Sequence, residues 1–232
     1  EWWTYRPSDF LLFSARTYYR LFELYNADVW PAQLLTSGLG LLLWVALRQG
    51  RRAARRAAFA LLAMAWLWVA WGFHWQRFAG INWAATWYAA AFGVEAVLLL
   101  ACALRGPQPD QPALRDGAGK FGMALLLTAL LVQPLLGALL GRSWLQAEVF
   151  GLAPDPSVLA TLGVLLLQTP RRCARRPALA WLLWPIPLLW CALTGMTLAT
   201  MHADDAWLMP IAALLSLAAL WWRARTGRGP TA

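Results

Sequence analysis

Charge is scarce in this sequence of 232 residues: Asp, Glu, Lys and Arg make up 13% of the chain, against roughly 25% in soluble domains. Cysteine is scarcer still, and the three cysteines share no spacing typical of a metal or redox site. An odd, scattered set also argues against a disulfide framework. No nucleophile–base or metal-ligand motif stands out, so the sequence favours a protein that is not an enzyme. The first residues lack the pattern of a removable signal peptide.

Apolar residues, by contrast, make up 60% of the chain, above the roughly 45–50% of soluble domains. They form runs of about 17–25 residues, the length that crosses a hydrocarbon core of about 30 Å. Only helices and closed barrels satisfy the backbone in lipid, and these runs lack the alternation of strands. The sequence therefore predicts an all-α, polytopic membrane helical bundle with seven transmembrane helices, at 29–47, 57–74, 83–104, 121–140, 149–168, 178–198 and 206–222.

Basic residues are distributed unevenly along this predicted bundle. Segments on one side hold 15 of the 20 Lys and Arg residues, and those on the opposite side hold five. Because basic loops stay in the cytoplasm, we expect the N-terminus outside and residues 223–232 as a cytoplasmic basic tail. The net charge of +9 then reflects topology and contact between the Arg-rich loops and anionic lipids of the bilayer. No nucleic-acid partner is expected.

Residues 1–28 are not predicted to cross the membrane. Their charged side chains make a span costly, while their aromatic and leucine side chains recur with helical spacing. We expect an amphipathic helix that lies in the outer interface of the bilayer, or that caps the outer mouth of the bundle. Within residues 10–28 the charged residues are Arg16, Arg20, Glu23 and Asp28, and the apolar residues with helical spacing are Tyr18, Leu21, Phe22 and Tyr25.

Glu95 lies near the middle of the third predicted span, and no Lys or Arg inside a span is placed to pair with it. Burying a polar group within a membrane costs free energy, so such a group usually has a functional or structural role. Gln33, Thr36 and Gln133 lie in other predicted spans and are able to hydrogen-bond Glu95. This candidate intramembrane polar site is either a proton or cation site in an internal path, or a structural contact between helices.

A second set of histidine and aspartate residues falls near the predicted outer face. These are ligand types for Zn, Mn or Cu, so they form a candidate outer-side cation site, and two histidines are also able to ligate haem. No spacing makes them converge, and solvated loop groups are the simpler alternative. The sequence identifies no cofactor. The set consists of His74, Asp155, His202, Asp204 and Asp205.

The fifth predicted span is interrupted by the triplet Pro154, Asp155 and Pro156. A helix from Ser157 to Gln168 would be about 18 Å long at 1.5 Å per residue, short of the roughly 30 Å core. An apolar stretch precedes the break, so we expect a discontinuous element, with Asp155 as the N-cap of the following helix. Broken helices build binding sites in transporters. The alternative is an ordinary outer loop before a short, tilted helix.

Four stretches of the sequence resemble a family of uncharacterised bacterial multi-pass membrane proteins, classified as a domain of unknown function. They are SDFLLFSARTYYRLFELYN, FAGINWAATWY, FGLAPDPSVLATLGVLLL and IPLLWCALTG. The family pattern has cysteine where this chain has Asp155, threonine in place of Ser157 and proline in place of Trp83. The absence of a Pro-Cys-Pro step weakens a thiolate-metal role. The resemblance implies a shared bundle in the bacterial inner membrane and no particular reaction.

Two functions stay open at this point. The first is transport or permeation of a small solute, a proton or a cation through a polar intramembrane site. The second is a non-catalytic accessory subunit, or a subunit that binds a lipid-soluble cofactor, in a larger membrane complex. Trp68, Trp71 and Trp75 share one helical face, which either faces lipid or forms an aromatic wall for such a cofactor.

Overall fold

The computed structural model describes residues 13–104, 116–167 and 177–226. Within these ranges the chain is helical and forms no strand, as the apolar runs predict. Two π-helical segments occur, Val69–Trp75 after α3 and Thr128–Val132 between α5 and α6. The α-helices are α1 Ala15–Asp28, α2 Ala32–Arg48, α3 Arg52–Trp68, α4 Ala85–Leu104, α5 Gly117–Leu127, α6 Gln133–Leu139, α7 Pro154–Leu166, α8 Pro177–Leu182, α9 Pro185–Thr200 and α10 Leu208–Thr226.

Several of these helices are candidate membrane spans. α1 and α2 are long and apolar enough to cross a membrane only when they are taken together, and they are bent by 88° relative to each other. The described residues therefore hold four candidate spans, or five when the bent pair counts as one. Taken alone, α2, α7 and α10 are not among the helices that are both long and apolar enough to cross a membrane. They correspond to the other three predicted spans. The four clear spans are Ala53–Gly80, Ala85–Leu104, Gly117–Leu139 and Leu179–Thr200.

α3 begins at Arg52, before the predicted start of its span at residue 57. Alanine and arginine are both strong helix formers, so the stretch RRAARRAA extends the helix. Arg55 is buried on this helix, and Arg56 donates to the Ala103 carbonyl oxygen over 3.2 Å. Most arginines of the predicted basic loop 48–56 therefore belong to helices.

The other basic segments are described only in part. α10 continues to Thr226, so the first residues of the predicted tail are helical. Arg223 in this last turn forms a salt bridge with Asp116 at the start of α5, with 2.7 Å between Nε and Oδ2. This contact ties the end of α10 to α5. The basic stretch 168–176 and residues 227–232 lie outside the described residues.

α1 is the amphipathic helix predicted near the N-terminus. Its apolar side chains Tyr18, Phe22 and Tyr25 are buried. Phe22 packs against Phe73 with 4.8 Å between ring centroids. Because Phe73 lies in the π-helical segment that follows α3, α1 covers the end of the bundle that this segment reaches. Residues 1–12 lie outside the described residues.

α7 occupies the centre of the bundle. Residues 148–167 are buried without interruption, so every side of this helix faces protein. It packs against α3, α5, α9 and α10. The contact with α5 is backbone to backbone, because a Cβ atom on Gly163 would lie 2.6 Å from the Gly122 carbonyl oxygen. With 13 residues, α7 is about 20 Å long and too short to cross a core of about 30 Å.

Tryptophans are prominent on the exposed apolar surface. Trp68, Trp71 and Trp75 are each about half exposed, which favours a lipid-facing row over an aromatic wall for a cofactor. Trp66, by contrast, is buried and donates its indole N–H to the Thr161 hydroxyl over 2.7 Å. The other largely exposed tryptophans are Trp30, Trp83, Trp87, Trp144, Trp181, Trp207, Trp221 and Trp222.

Candidate functional site: a carboxylate cluster at the broken helix

The break before α7 is irregular backbone inside the protein. Residues 147–153, named here the lead-in segment, form no helix, and all but the first are buried. Gly151 has a φ of +79°, a left-handed conformation that glycine adopts without strain. The Ser157 hydroxyl accepts a hydrogen bond from the Gly151 amide over 3.1 Å and donates to the Ala153 carbonyl oxygen over 2.7 Å. Protein thus covers this irregular backbone, as a membrane interior requires.

α7 begins earlier than the sequence predicts. It starts at Pro154, and its N-cap is Ala153, which supplies no side-chain hydrogen bond. The prediction that Asp155 caps this helix is therefore wrong. Proline suits the first helical position because its fixed φ is already helical and its missing N–H needs no partner. The Asp155 carboxylate is consequently available for contacts with another helix.

Asp155 contacts α9 with both carboxylate oxygens. The residue is 2% exposed. The Trp190 indole N–H donates to Oδ1 over 2.7 Å, and the Thr194 hydroxyl donates to Oδ2 over 3.1 Å. Trp190 lies at the middle of the candidate span Leu179–Thr200. Asp155 is therefore a buried, doubly hydrogen-bonded acid at the mid-depth of a candidate membrane-spanning helix.

Glu148, in the lead-in segment, is a second buried acid and is 7% exposed. The Gln133 side chain lies beside it, while its Oε2 atom has no hydrogen-bond partner. Burial raises the pKa of Glu148 well above its ordinary value, and the negative charge of Asp155 raises it further. The Arg142 guanidinium acts in the opposite direction without cancelling this effect. Glu148 therefore favours its protonated form.

Arg142 and Asp205 form a largely buried salt bridge. The guanidinium also lies over the ring of Tyr19, with Cζ 4.6 Å from the centroid. Glycine at position 137 makes room for it, because a Cβ atom there would lie 3.2 Å from Arg142 Nε. Burial lowers the pKa of Arg142, but the neighbouring Asp205, Tyr19 and Glu148 together raise it above its ordinary value. The other Asp205 oxygen, Oδ1, is buried without a partner.

These side chains form one group, named here the carboxylate cluster: Glu148, Asp155 and Asp205, together with Arg142 and Gln133. The charged members lie close enough to act on one another electrostatically. They come from α6, the connection after it, the lead-in segment, the start of α7 and the connection before α10. Three carboxyl groups and one guanidinium thus lie within electrostatic range of one another in a largely buried part of the bundle.

α1 covers the lead-in segment. The Tyr25 hydroxyl donates to the Leu152 carbonyl oxygen over 3.0 Å. The Asn26 side-chain amide donates to the carbonyl oxygens of Leu145 and Ala147, each over 2.8 Å. Buried carbonyl groups need hydrogen-bond partners, and α1 supplies three of these bonds to a stretch that forms no α-helix.

His74, from the predicted outer-side set, is fully buried, and neither ring nitrogen has a hydrogen-bond partner. Its imidazole lies edge-on to Phe92 and Trp190, with 4.6 and 5.0 Å between ring centroids. Trp190 therefore contacts His74 and also donates to Asp155. Further ring contacts to His74 come from Phe73, Phe78 and Tyr88.

Glu95 is fully buried in α4, and neither of its carboxyl oxygens has a hydrogen-bond partner. Gln33 donates instead to the Asn26 carbonyl oxygen over 2.8 Å, and Gln133 belongs to the carboxylate cluster. Thr36 donates to the Gln33 carbonyl oxygen. The structure therefore buries Glu95 but does not bring it together with the three side chains predicted to hydrogen-bond it.

The predicted outer-side cation site is likewise divided among different surroundings. His202 and Asp204 are exposed in the connection between α9 and α10. Asp155 and Asp205 belong to the carboxylate cluster, whereas His74 lies among aromatic rings. Across the part of the chain that the structure describes, no three His, Cys, Asp or Glu side chains are grouped to hold a metal ion.

The most informative residue that the sequence patterns did not single out is Glu148. It is the only charged residue in the stretch WLQAEVFGLA that leads into the break, and a charge at this position is the sequence signal that could have identified it. Arg142 and Thr194 gave no comparable sign. Arg142 pairs with Asp205, 63 positions away, because two connections pack together. Local sequence patterns do not predict that packing.

These features define a class of protein: an all-helical chain with four or five candidate membrane spans around a buried, broken helix. The chain belongs to the family of unknown function DUF6064, whose family model matches residues 15–229. The match confirms the resemblance to an uncharacterised family and includes every helix from α1 to α10. No curated protein and no solved structure matches the chain.

Proposed function

We propose that this protein provides a transport or permeation path for a proton, a cation or a small solute, and that the carboxylate cluster is its internal site. The observation that carries the proposal is the unbroken burial of residues 148–167, which combines irregular backbone with Glu148 and Asp155. Broken helices covered by protein build ion and substrate sites in transporters. Ionisable groups at membrane depth are costly and mark pathways for ions or protons.

A purely structural role accounts less well for this cluster. Burying carboxyl groups costs several kcal/mol unless they are fully paired and hydrogen-bonded. Glu148 Oε2 and Asp205 Oδ1 are buried and have no partner. Well-packed apolar side chains of similar volume often give equal or greater stability than such buried polar groups. The retained polarity therefore supports a functional role for the cluster.

The proposed arrangement is a seven-helix membrane domain over residues 29–222 in a bacterial inner membrane. In it, α2, α10 and a discontinuous span made of the lead-in segment and α7 add to the four candidate spans. The uneven distribution of Lys and Arg supports an outer N-terminus and a cytoplasmic C-terminus. In this orientation α1 and the lead-in segment lie on the outer side, so the cluster is approached from there. α7, about 20 Å long, covers the remaining distance to the cytoplasmic side.

A different observation favours a second function. Five aromatic side chains surround His74 and form an apolar interior beside α4 and α9. Such an interior suits an accessory subunit of a larger membrane complex, or a subunit that binds a lipid-soluble cofactor. The two functions differ in hydration: transport requires water to reach the carboxylate cluster, whereas the accessory role leaves the cluster dry.

Ion flux into proteoliposomes separates the two functions. Gradients of H⁺, Na⁺ and K⁺ are imposed in separate runs, and entrapped indicators report the flux. Asp155→Asn removes the buried charge at nearly constant volume, and Asp204→Asn makes the same change at an exposed residue as the matched control. We expect wild type and Asp204→Asn to conduct at least one ion faster than protein-free vesicles, and Asp155→Asn to lose most of that flux. Equal flux in wild-type and protein-free vesicles for all three ions would favour the accessory role.

A further inference from the structure

The carboxylate cluster contains more acidic groups than basic ones. Its one guanidinium, on Arg142, is paired with Asp205. Glu148 and Asp155 are therefore left to share the site without a cation of their own among the members of the cluster. Two carboxyl groups that act on each other in a buried site do not both ionise readily, so one of the pair retains a proton.

Hydrogen bonding determines which of the two acids is protonated. Asp155 accepts hydrogen bonds from Trp190 and Thr194, and donors of this kind stabilise the ionised form of a carboxyl group. The Gln133 side chain lies beside Glu148, and the Oε2 atom of Glu148 is buried without a hydrogen-bond partner. These hydrogen bonds favour the ionised form at Asp155 and leave Glu148 as the acid of the pair that is better placed to hold the proton.

We propose that the species handled by the carboxylate cluster is the proton, and that Glu148 is the group that binds and releases it beside the hydrogen-bonded carboxyl group of Asp155. This inference rests on the proposed function and narrows its substrate. On binding, a hydrated proton from the outer side transfers to a carboxylate oxygen of Glu148, forming an O–H bond and leaving water. On release, that bond breaks and the proton returns to water, so charge balances without an electron or a further reactant.

Charged and titratable groups from every neighbouring element act on Glu148. The negative charges of Asp155 and Asp205 favour proton binding, and the positive charge of Arg142 favours release. The tyrosines of α1 are neutral near physiological pH, so they add no charge beside Glu148. The groups that interact electrostatically with Glu148 are Tyr18 and Tyr19 of α1, Gln133 of α6, Arg142 after α6, Asp155 of α7 and Asp205 before α10.

The donor set suits a proton better than a metal ion. Both oxygens of Asp155 are already engaged by Trp190 and Thr194. Within the described ranges, no three His, Cys, Asp or Glu side chains are arranged to coordinate one ion. A proton requires only a single oxygen atom, and Oε2 of Glu148 is a buried oxygen without a partner.

Infrared difference spectroscopy of the protein in lipid tests proton exchange at Glu148. Between low and high pH, we expect the chain with Glu148 unchanged to lose a carbonyl band of a protonated carboxyl group, and that band to shift when glutamate carboxyl carbons carry ¹³C. Glu148→Gln is expected to lack the pH-dependent band. All samples carry Glu95→Gln, because Glu95 is also buried and would give a band of the same kind. In this background the chain with Glu148 unchanged is the reference, and Glu23→Gln, at a part-exposed glutamate of α1, is the matched control that keeps the band.

Persistence of the band in Glu148→Gln, or its absence from the reference at every pH, overturns the inference. If Glu148→Gln does not fold, Glu148→Asp decides, because its pH-dependent band must then cease to shift with the glutamate label. Failure of the proposed function gives a different result. A Glu148 band without proton flux in wild-type vesicles would refute transport and leave proton exchange at Glu148 in place. Flux that depends on Asp155, without a Glu148 band, would refute only the assignment of Glu148 as the exchanging group.

Discussion

Trp190 donates its indole N–H to the Asp155 carboxylate over 2.7 Å, joining α9 and α7 across 35 positions of the chain. Hydrogen bonds to an ionised acceptor are among the strongest in proteins. The same indole lies against the imidazole of His74. Trp190 thus holds the start of the broken helix at the middle of a candidate span and connects the carboxylate cluster to the aromatic interior.

Replacing this indole tests its contribution to stability. Trp190→Phe retains an aromatic ring but removes the donor to Asp155, so we expect the free energy of unfolding to fall by about 1.5–3 kcal/mol, the range for a hydrogen bond to a charged group. Thermal and denaturant unfolding in detergent, followed by circular dichroism, measure the change. Trp222→Phe, at an exposed tryptophan, is the control and is expected to change stability by less than about 0.5 kcal/mol. Equal stability of the two variants would contradict this role.

The contact between α5 and α7 requires glycine at position 163. A Cβ atom there would lie 2.6 Å from the Gly122 carbonyl oxygen, so Gly163→Ala is expected to lower the free energy of unfolding by about 1–3 kcal/mol, as overpacking does. Gly93→Ala in α4 is the matched control, because its Cβ meets nothing within 4 Å. Alanine also has the higher helix propensity, by about 1 kcal/mol, so Gly93→Ala should leave stability unchanged or raise it. A similar decrease in the free energy of unfolding in both variants would argue against backbone contact between α5 and α7.

The pH dependence of stability should report the protonated state of Glu148. Burial, aided by Asp155, raises its pKa in the folded protein, so the folded state keeps a proton that the unfolded chain releases near a pKa of about 4.3. Stability falls with rising pH wherever the folded state binds more protons. The contribution of the Glu148 proton to the free energy of unfolding is therefore complete below the unfolded pKa, and it is lost as pH rises through the folded pKa.

Glu148→Gln removes this titration, because the amide is neutral throughout. We expect the unfolding free energy of this variant to decline less steeply than that of wild type between about pH 5 and about pH 8. Glu23→Gln, in the Arg20 salt bridge of α1, serves as the control and should follow wild type. Superimposable curves for wild type and Glu148→Gln would mean that Glu148 is already ionised in the folded state.

Membrane orientation is tested by labelling single cysteines in a background without the native ones. His202→Cys lies in the exposed connection after α9, and Arg51→Cys lies in the exposed connection before α3. We expect an impermeant maleimide to label His202→Cys on intact cells and Arg51→Cys only after permeabilisation, because basic segments stay in the cytoplasm. Labelling of both positions from the same side, or the reverse pattern, would refute the proposed topology.

The sequence predicts those features that depend on neighbouring residues. Helical periodicity identifies α1 and the side on which Tyr18, Phe22 and Tyr25 are buried. The two prolines flanking Asp155 place the break, and the short apolar run after it predicts that α7 is too short to span a membrane. Each of these patterns depends on residues that are close together in the sequence, so a single sequence is enough to reveal it.

Side-chain partners that depend on packing between distant helices could not be predicted. Gln133 contacts Glu148 and not Glu95, and Arg142 finds Asp205 across 63 positions. The role of Asp155 also changed, because Ala153 takes the N-cap position and the carboxylate turns to α9. Each of these contacts is fixed by how α1, α6, α7 and α9 meet, which no periodicity specifies.

The initial rate of proton entry into vesicles, after the outer pH is lowered, tests the central claim most directly. Vesicles contain wild type, Glu148→Gln or Glu23→Gln, and an entrapped pH indicator reports the rate under a clamped membrane potential. The proposed proton site predicts faster entry with wild type and Glu23→Gln than into protein-free vesicles, and a return to the protein-free rate with Glu148→Gln. Wild type no faster than protein-free vesicles, or Glu148→Gln as fast as wild type, would contradict it.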